Sequence, residues 1–491
     1  MLDRIKTTAK HSIIYSFGNL LTKIIGLILL PLYTSHLSTS DYGMLGILEV
    51  TAQFLIIVLG LNIYQAMMRW YAETQSELER KSLVFTSFAS LFVLAGIILS
   101  LLSLFQKQAA ILFFDNSSFS IYFAYLFIWV FLEILNTIPL SLLRLKEKSF
   151  LYIGFISFKF VVVLSLNVYF IAYRNMGIKG IILSQLLGSL ILFIMNLPIL
   201  LNNFKLKFRF QLLKQMFAFS FPLIFSSISV MLLAMGDRFI IKYFLDYSEV
   251  GIYSLAYKIA GVINVFIINS FSLSFLPIAY KAFNTEGARE FYKKVFKYFS
   301  FILIFSALAL SLFAKEILQI FARNPAYWEA ANLAPLLTLA FVFKGTQYIL
   351  GLGFHYIKKT KYNAYIVMSG VVLNFGFNFL LIPVIGIWGA AVATIISGLY
   401  ITVVYYFKSK KYYDVGYKFG KVLEALTLAV IIYLLSLFIP NIALGWTILG
   451  KLILLSMFPL ILLTIGFYDK QELVFIKKII KKRLPNKQQP L

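Results

Sequence analysis

Apolar runs of about 20 residues, separated by short polar connections, recur along the whole chain. A run of that length crosses the hydrocarbon core of a bilayer as one helix, so the pattern predicts about fourteen crossing helices. They fall over 12–33, 42–65, 82–105, 120–143, 150–173, 178–201, 217–241, 250–280, 297–322, 331–356, 362–384, 387–407, 417–438 and 446–468. The short alternating strands that a membrane barrel needs are absent from the pattern. The first run belongs to the series and has Lys23 at its middle, so it reads as a retained span and not a cleaved leader. Trp70-Tyr71 and Tyr327-Trp328 sit at expected helix ends, as an interfacial aromatic belt requires.

Within several runs the polar residues recur at helical spacing and form a stripe on one face. The first carries Ser12, Tyr15, Ser16, Asn19, Thr22, Lys23 and Gly26. The 250–280 run has Ser254, Tyr257, Lys258, Gly261 and Asn264, and the 331–356 run has Lys344, Gln347, Tyr348, Gly351 and His355. The 120–143 run presents Trp129, Glu133, Asn136 and Ser141, and the 42–65 run offers Glu49 and Gln53. A cation at the bilayer centre costs at least ~2.5–3.5 kcal/mol on insertion scales and marks a bundle interior or a watery pathway. Lys23, Lys159, Lys258 and Lys344 therefore point to an anionic ligand. Pairing with Glu49, Glu133 or Asp237 is the alternative for any one of them. Asn363, Asn374 and Asn378 read as helix-packing residues.

Two segments repeat at nearly one offset. Leu37-Ser38-Thr39-Ser40-Asp41-Tyr42-Gly43 reappears as Leu245-Asp246-Tyr247-Ser248-Glu249-Val250-Gly251, and GIKGIILSQLLGSLI at 177–191 as GIWGAAVATIISGLY at 386–400. Six spans, an even number, separate the copies, so the halves run in the same direction and are related by an axis along the membrane normal. The expected fold is thus an all-α polytopic membrane protein with two parallel six-helix lobes around a central cavity. The lobes are 1–205 and 206–410, followed by a peripheral helix pair at 411–470 and a basic tail at 471–491. That pair has almost no polar stripe, and its Glu424 and Lys451 lie where each can reach an interface.

Composition agrees: 60% of the 491 residues are hydrophobic and 13% charged, and the mean hydropathy is +0.86, too apolar for a soluble fold. Most of the 45 Lys and Arg fall on the side of the membrane that holds the N-terminus, which makes both termini cytoplasmic by the positive-inside rule. The net charge of +25 then belongs to loops beside anionic headgroups and not to nucleic acid. With no cysteine, disulfides and thiolate metal sites are excluded. The histidines His11, His36 and His355 lack metal-ligand spacing and read as interfacial residues, and no nucleotide-binding signature is present.

The segments GDRFIIKYFLDYSEVGIYSLAYKIA at 236–260, LNFGFNFLLIPVIGIWGAAVATIIS at 373–397 and LILLPLYTSHLSTSDYGMLGI at 27–47 resemble a known family. It is the Wzx-type O-antigen and capsule repeat-unit flippase branch of the multidrug/oligosaccharidyl-lipid/polysaccharide flippase superfamily. The resemblance covers roughly residues 10–410 and implies transfer of an undecaprenyl-diphosphate-linked oligosaccharide from the cytoplasmic to the outer leaflet of a bacterial inner membrane by alternating access. It implies that Lys23 and Lys258 are cavity cations that meet the lipid diphosphate or acidic sugars. Lys344 and Lys159 are further candidates from the stripes, with Asn19, Gln53, Tyr257, Asn264 and Gln347 as polar lining. Glu49, Asp237 and Glu133 are the acids that pair lysines or couple transport to H+ or Na+. No other cofactor and no metal is expected. The implied partners are the lipid-linked sugar, membrane lipids and a polysaccharide polymerase. The alternatives are a drug/cation antiporter of the same superfamily, a flippase of a cell-wall precursor such as lipid II, and, further off, a membrane polysaccharide polymerase.

Overall fold

A computed structural model describes residues 28–357, 361–439 and 444–468. Lys23, Asn19 and the rest of the first polar stripe, together with the basic tail, lie outside the described residues. Among the described residues thirteen helices are long and apolar enough to cross a membrane: α1 Thr39–Glu73, α2 Glu77–Leu104, α3 Ser117–Leu145, α4 Ser149–Tyr173, α5 Gly177–Asn202, α6 Phe210–Met235, α7 Tyr247–Ala282, α8 Ala288–Phe321, α9 Pro325–Tyr356, α10 Tyr362–Ile385, α11 Ile387–Lys410, α12 Phe419–Ser436 and α13 Gly445–Thr464. They coincide with the second to fourteenth expected runs. No strand occurs among them, as a bilayer requires of chain that satisfies its own backbone hydrogen bonds.

The repeat has a local physical meaning. Ser38 caps α1 in a reciprocal capping box with Asp41, and Asp246 caps α7 by accepting from the Glu249 backbone N–H. Both satisfy amide donors that a helix start leaves unpaired. The same helix pairs then pack in each half. α2 lies on α3, α3 on α5, and α4 on α5; the equivalents α8 on α9, α9 on α11, and α10 on α11 are all in contact, and α1 touches α3 as α7 touches α9. The same helix pairings thus occur in both halves.

The lobes meet most closely where α1 crosses α7. A Cβ on Gly43 would collide with the Tyr247 carbonyl, and one on Gly251 would collide with the Thr39 carbonyl. Positions 39 and 247 are themselves equivalent in the repeat, so the contact is reciprocal. Glycine is required at both places because each backbone occupies the volume of the other's side chain. Thr39 Oγ1 and Ser248 Oγ are 2.7 Å apart, and the buried Tyr327 hydroxyl donates to the Ser38 carbonyl at 2.8 Å. Tyr247 donates to the Phe113 carbonyl and Lys242 pairs with Asp115 at 3.7 Å. One end of the bundle is closed by these ties. The opposite end carries the connections rich in Lys and Arg, at 146–148, 203–209 and 408–418, and is called the basic end below.

Helix α1 is not continuous. Leu61 and Asn62 both adopt left-handed backbone, φ 49° and 50°, a conformation that costs an L-residue ~1–2 kcal/mol. The break is held from the other lobe, where Asn62 Nδ2 donates to Ser227 Oγ on α6 at 3.0 Å.

The C-terminal pair packs on α8, and Phe419 of α12 also meets Tyr406 of α11 edge-on, with ring centres 4.8 Å apart. The expectation that Lys451 reaches an interface is corrected. Its ammonium donates to Glu316 Oε1 of α8 at 2.5 Å, with 12% and 10% of the two side chains exposed. The 34 residues of α8 reach far enough to place a carboxylate beside α13, and a half-buried lysine pairs with that charge.

Candidate functional site

The four lysines of the polar stripes have different fates. Lys159 of α4 pairs with Glu133 of α3 inside the N-terminal lobe. The same carboxylate oxygen accepts from Ser189 Oγ of α5 at 2.6 Å and from Trp129 Nε1 at 3.2 Å. Asn136, one turn on, donates to the Ser189 carbonyl at 3.0 Å. This network ties α3, α4 and α5 together and gives Lys159 its counter-charge, so Lys159 and Glu133 are joined to each other and not to the remaining site residues.

Lys258 is placed at the lobe interface. Its Nζ on α7 donates to the Tyr42 hydroxyl of α1 at 2.8 Å and lies 5.2 Å from the centre of the Tyr42 ring. The Gly43–Gly251 approach brings the two helices close enough for this reach. Tyr42 is itself fixed edge-on to Tyr327 at 5.8 Å and beside Tyr33 at 6.5 Å. Glu49, two turns along α1, is half-buried and within electrostatic reach of Lys258. Gln53 is exposed and Asn264 half-buried; Asn264 opens a π-helical turn, Asn264–Ile268, in α7.

Asp237 lies in a separate buried cluster. The chain bends after α6 at Gly236, where a Cβ would meet the Phe375 ring at 2.8 Å, and this turns Asp237 and Arg238 inward, 2% and 5% exposed. Asp237 accepts from the Tyr253 hydroxyl and pairs with Arg238 Nη1 at 3.3 Å. Arg238 Nε donates to Ser254 Oγ at 3.0 Å, and its guanidinium lies 5.2 Å from the Tyr257 ring centre. Both charges are thus partnered, as buried ions must be.

Lys344 of α9 and Gln347 line a cavity of about 350 Å³ enclosed by α6, α7, α9, α10 and α11. Tyr257 contributes its ring from α7. The described residues that line this cavity all belong to the C-terminal lobe. Its polar lining includes Thr394 and Ser397 of α11 and Asn363 of α10. Asn363 thus departs from the packing role expected of it. Asn374 and Asn378 do pack, with Asn374 Nδ2 donating to Ser397 Oγ at 3.2 Å and Asn378 Nδ2 to the Asn374 carbonyl at 2.9 Å.

Sequence reasoning missed Tyr42, although it stands in the repeated capping segment, because a tyrosine there reads as interfacial. It also missed Tyr253 and Thr394, which touch each other at 3.4 Å and have no charge to mark them. Among the described residues no cluster of three or more His, Asp or Glu is arranged to hold a metal.

Comparison with known proteins places this geometry. Residues 8–283 match the family described as Polysaccharide biosynthesis protein, and residues 222–380 match the MatE family. The capsular polysaccharide biosynthesis protein CapF of Staphylococcus aureus is 30% identical over 299 residues, covering 57% of this chain and 72% of CapF. The structure of the lipid II flippase MurJ in an inward closed conformation superposes with a TM-score of 0.72 at 16% identity, covering 91% of this chain and 98% of the other. An inward-facing multidrug resistance MATE family transporter of the MOP superfamily gives 0.66 at 15% identity, covering 79% and 94%. These two likenesses establish the fold.

Proposed function

The chain belongs to the polysaccharide biosynthesis protein family within the MOP superfamily of membrane flippases and transporters, and from that premise we propose that it moves an undecaprenyl-diphosphate-linked oligosaccharide from the cytoplasmic to the outer leaflet of a bacterial inner membrane. The observation that carries this reading is Lys258. An ammonium at this depth costs at least ~2.5–3.5 kcal/mol, and the group it bonds among the described residues is a neutral phenol. Glu49 is the carboxylate within electrostatic reach; a diphosphate adds anionic charge at the ammonium itself, and Lys meets it as a point charge. The match to a capsular polysaccharide biosynthesis protein supports a lipid-linked sugar as the cargo class.

With both termini cytoplasmic, as the basic end supports, the Gly43–Gly251 contact is the outer gate in its shut position. Cargo arriving from the basic end offers its diphosphate to Lys258 in competition with Tyr42. That exchange removes a hydrogen bond joining the two lobes just where they are sealed, so binding and gate opening are linked. A ligand shifts such an equilibrium only by its difference in affinity for the two states, and the Lys258 to Tyr42 bond is where that difference arises. Lys23 is the second cation proposed for the diphosphate. Asp237 is already satisfied by Arg238 and Tyr253, so we assign coupling to H+ or Na+ to Glu49.

Transport of an undecaprenyl-diphosphate-linked repeat unit in proteoliposomes tests this. Lys258→Ala is expected to lower the rate at least tenfold with unchanged thermal unfolding, and Lys258→Arg to retain much of it. Wild-type transport by the alanine variant overturns the cationic site. Movement of lipid II, but of no other lipid-linked sugar, replaces the cargo by a cell-wall precursor. Loss of gradient stimulation in Glu49→Gln, with downhill exchange preserved, supports the coupling role; unchanged stimulation removes it.

A further inference from the structure

The turn that delivers Tyr327 has a counterpart in the other lobe. The spacing of 208 residues between Gly43 and Gly251 also separates Asn116 from Asn324 and Phe119 from Tyr327. Both segments are single 3₁₀ turns, Ser117–Phe119 and Pro325–Tyr327. In each, the asparagine side chain accepts from the backbone N–H two residues on, at 2.9 and 3.0 Å, which fixes the turn locally. The aromatic residue that closes the turn differs. Phe119 meets Phe114 and Tyr122, with ring centres 5.8 and 5.3 Å away, all within the N-terminal lobe. Tyr327 carries a hydroxyl, crosses to the opposite lobe and is buried there. The equivalent turn folds without that hydroxyl, so the hydroxyl at 327 answers to something other than the turn.

The Tyr327 hydroxyl is shared between the Leu37 carbonyl at 3.1 Å and the Ser38 carbonyl at 2.8 Å. These two residues form the joint between the short helix Leu30–His36 and α1. The same Ser38 carbonyl accepts the Tyr42 backbone N–H at 3.0 Å, and the Tyr327 ring stands edge-on to Tyr42 at 87°. Tyr42 is thus held twice from the C-terminal lobe, by Tyr327 at its ring and by Lys258 at its hydroxyl. From its own lobe it has Tyr33 beside it, itself fixed by donating to Asn167 Oδ1 of α4 at 3.0 Å. Because both acceptors of Tyr327 are backbone atoms, its bonds break only when the lobes part.

We infer that the Tyr327 hydroxyl is a positioning group for the anion site proposed at Lys258: by pinning the start of α1 it holds the Tyr42 phenol on the ammonium, and so sets how readily an anion takes the phenol's place. The inference rests on that reading of Lys258. Apparent affinity falls with the fraction of protein competent to receive the ligand, and pinning Tyr42 keeps that fraction small. The hydroxyl therefore keeps the outer gate shut while the site is empty, at some loss of affinity for the anion.

The test uses the full chain in nanodiscs and reads two quantities. Pyrophosphate affinity is measured by calorimetry. Lobe separation is measured by electron spin resonance between labels on Ser118→Cys and Glu329→Cys, exposed positions on the two outer turns of a chain without cysteine. Tyr327→Phe copies the residue at 119 and should fold. It is expected to raise the population with parted lobes and to tighten pyrophosphate binding, each by about two- to tenfold, the worth of one net hydrogen bond. A residue that only supports the fold would weaken binding when altered. In a Tyr42→Phe background Lys258 has no phenol to give up, so Tyr327→Phe should still part the lobes but leave the affinity unchanged. An equal gain in affinity with and without the Tyr42 hydroxyl overturns the positioning role. Tyr42→Phe alone should also tighten pyrophosphate binding; no gain there overturns the competition on which the role depends, even if Tyr327→Phe fails to fold. Pyrophosphate that does not bind wild type, or binds equally well after Lys258→Ala, removes the anion reading and this inference with it. An affinity lost in Lys258→Ala but unmoved by Tyr327→Phe removes this inference alone.

Discussion

The N-terminal and C-terminal lobes pack the same helices in the same pairs, yet treat a half-buried lysine in opposite ways. In the first, Lys159 is neutralised within its own lobe by Glu133, with Ser189 and Trp129 completing the carboxylate's hydrogen bonds. In the second, Lys258 reaches across to a phenol of the other lobe and Lys344 is among the residues that line a cavity. Helix repetition therefore conserves backbone geometry and leaves charge free to diverge. One lobe holds its lysine as an internal tie; the other places Lys258 at the contact between the lobes.

The gate between the lobes offers the largest test. The chain has no cysteine, so Thr39→Cys with Ser248→Cys gives a clean pair at hydroxyls 2.7 Å apart. Oxidation is expected to abolish transport and reduction to restore it; undiminished transport in the crosslinked protein removes the gate. Next comes the contrast between the lysines. Glu133→Gln leaves Lys159 buried without its counter-charge and should cost ~3–5 kcal/mol in unfolding free energy. Replacing both partners, Glu133→Leu with Lys159→Met, should recover most of that. Lys258→Met, by comparison, should leave stability unchanged or improved. Equal destabilisation by Glu133→Gln and Lys258→Met would erase the difference between the lobes. A smaller effect follows from Gly43→Ala, whose methyl group meets a backbone carbonyl and should cost ~1–3 kcal/mol in the sealed state. Gly46→Ala faces Ser254 Oγ at 3.1 Å and should cost less, by thermal unfolding of the two variants side by side. Smallest is Thr39→Val, which removes one interlobe hydrogen bond worth ~0.5–1.5 kcal/mol and should only slightly raise the rate at which impermeant thiol reagents reach a cysteine at position 248.

The helices and their order were legible because crossing a bilayer imposes length and apolarity that any sequence must display. The repeat was legible through its caps and glycines, since Ser38, Asp246, Gly43 and Gly251 each answer a backbone requirement that few residue types satisfy. Partnerships were not. Glu133 and Lys159 are 26 positions apart, and the stripe on each helix tells which face is polar but not which helix that face meets. Glu316 and Lys451, 135 apart, posed the same problem across a longer gap. The cavity within one lobe was hidden for a related reason: Asn363 has the same signature whether it packs, as Asn374 and Asn378 do, or borders a void. The break at Leu61–Asn62 carries neither Gly nor Pro, because its support comes from Ser227 on the other lobe.

The buried bond between Glu316 and Lys451 has one more consequence. It fastens α13 to α8, while Phe419 of α12 rests on Tyr406 and Phe296 of the same lobe. In the proposed transport cycle, rocking of the lobes carries the C-terminal pair along with one of them through the surrounding lipid. A spin label on α13 is therefore a stationary beacon for α8 and a travelling one for α2, and the pair of distances measures the stroke of the transporter directly.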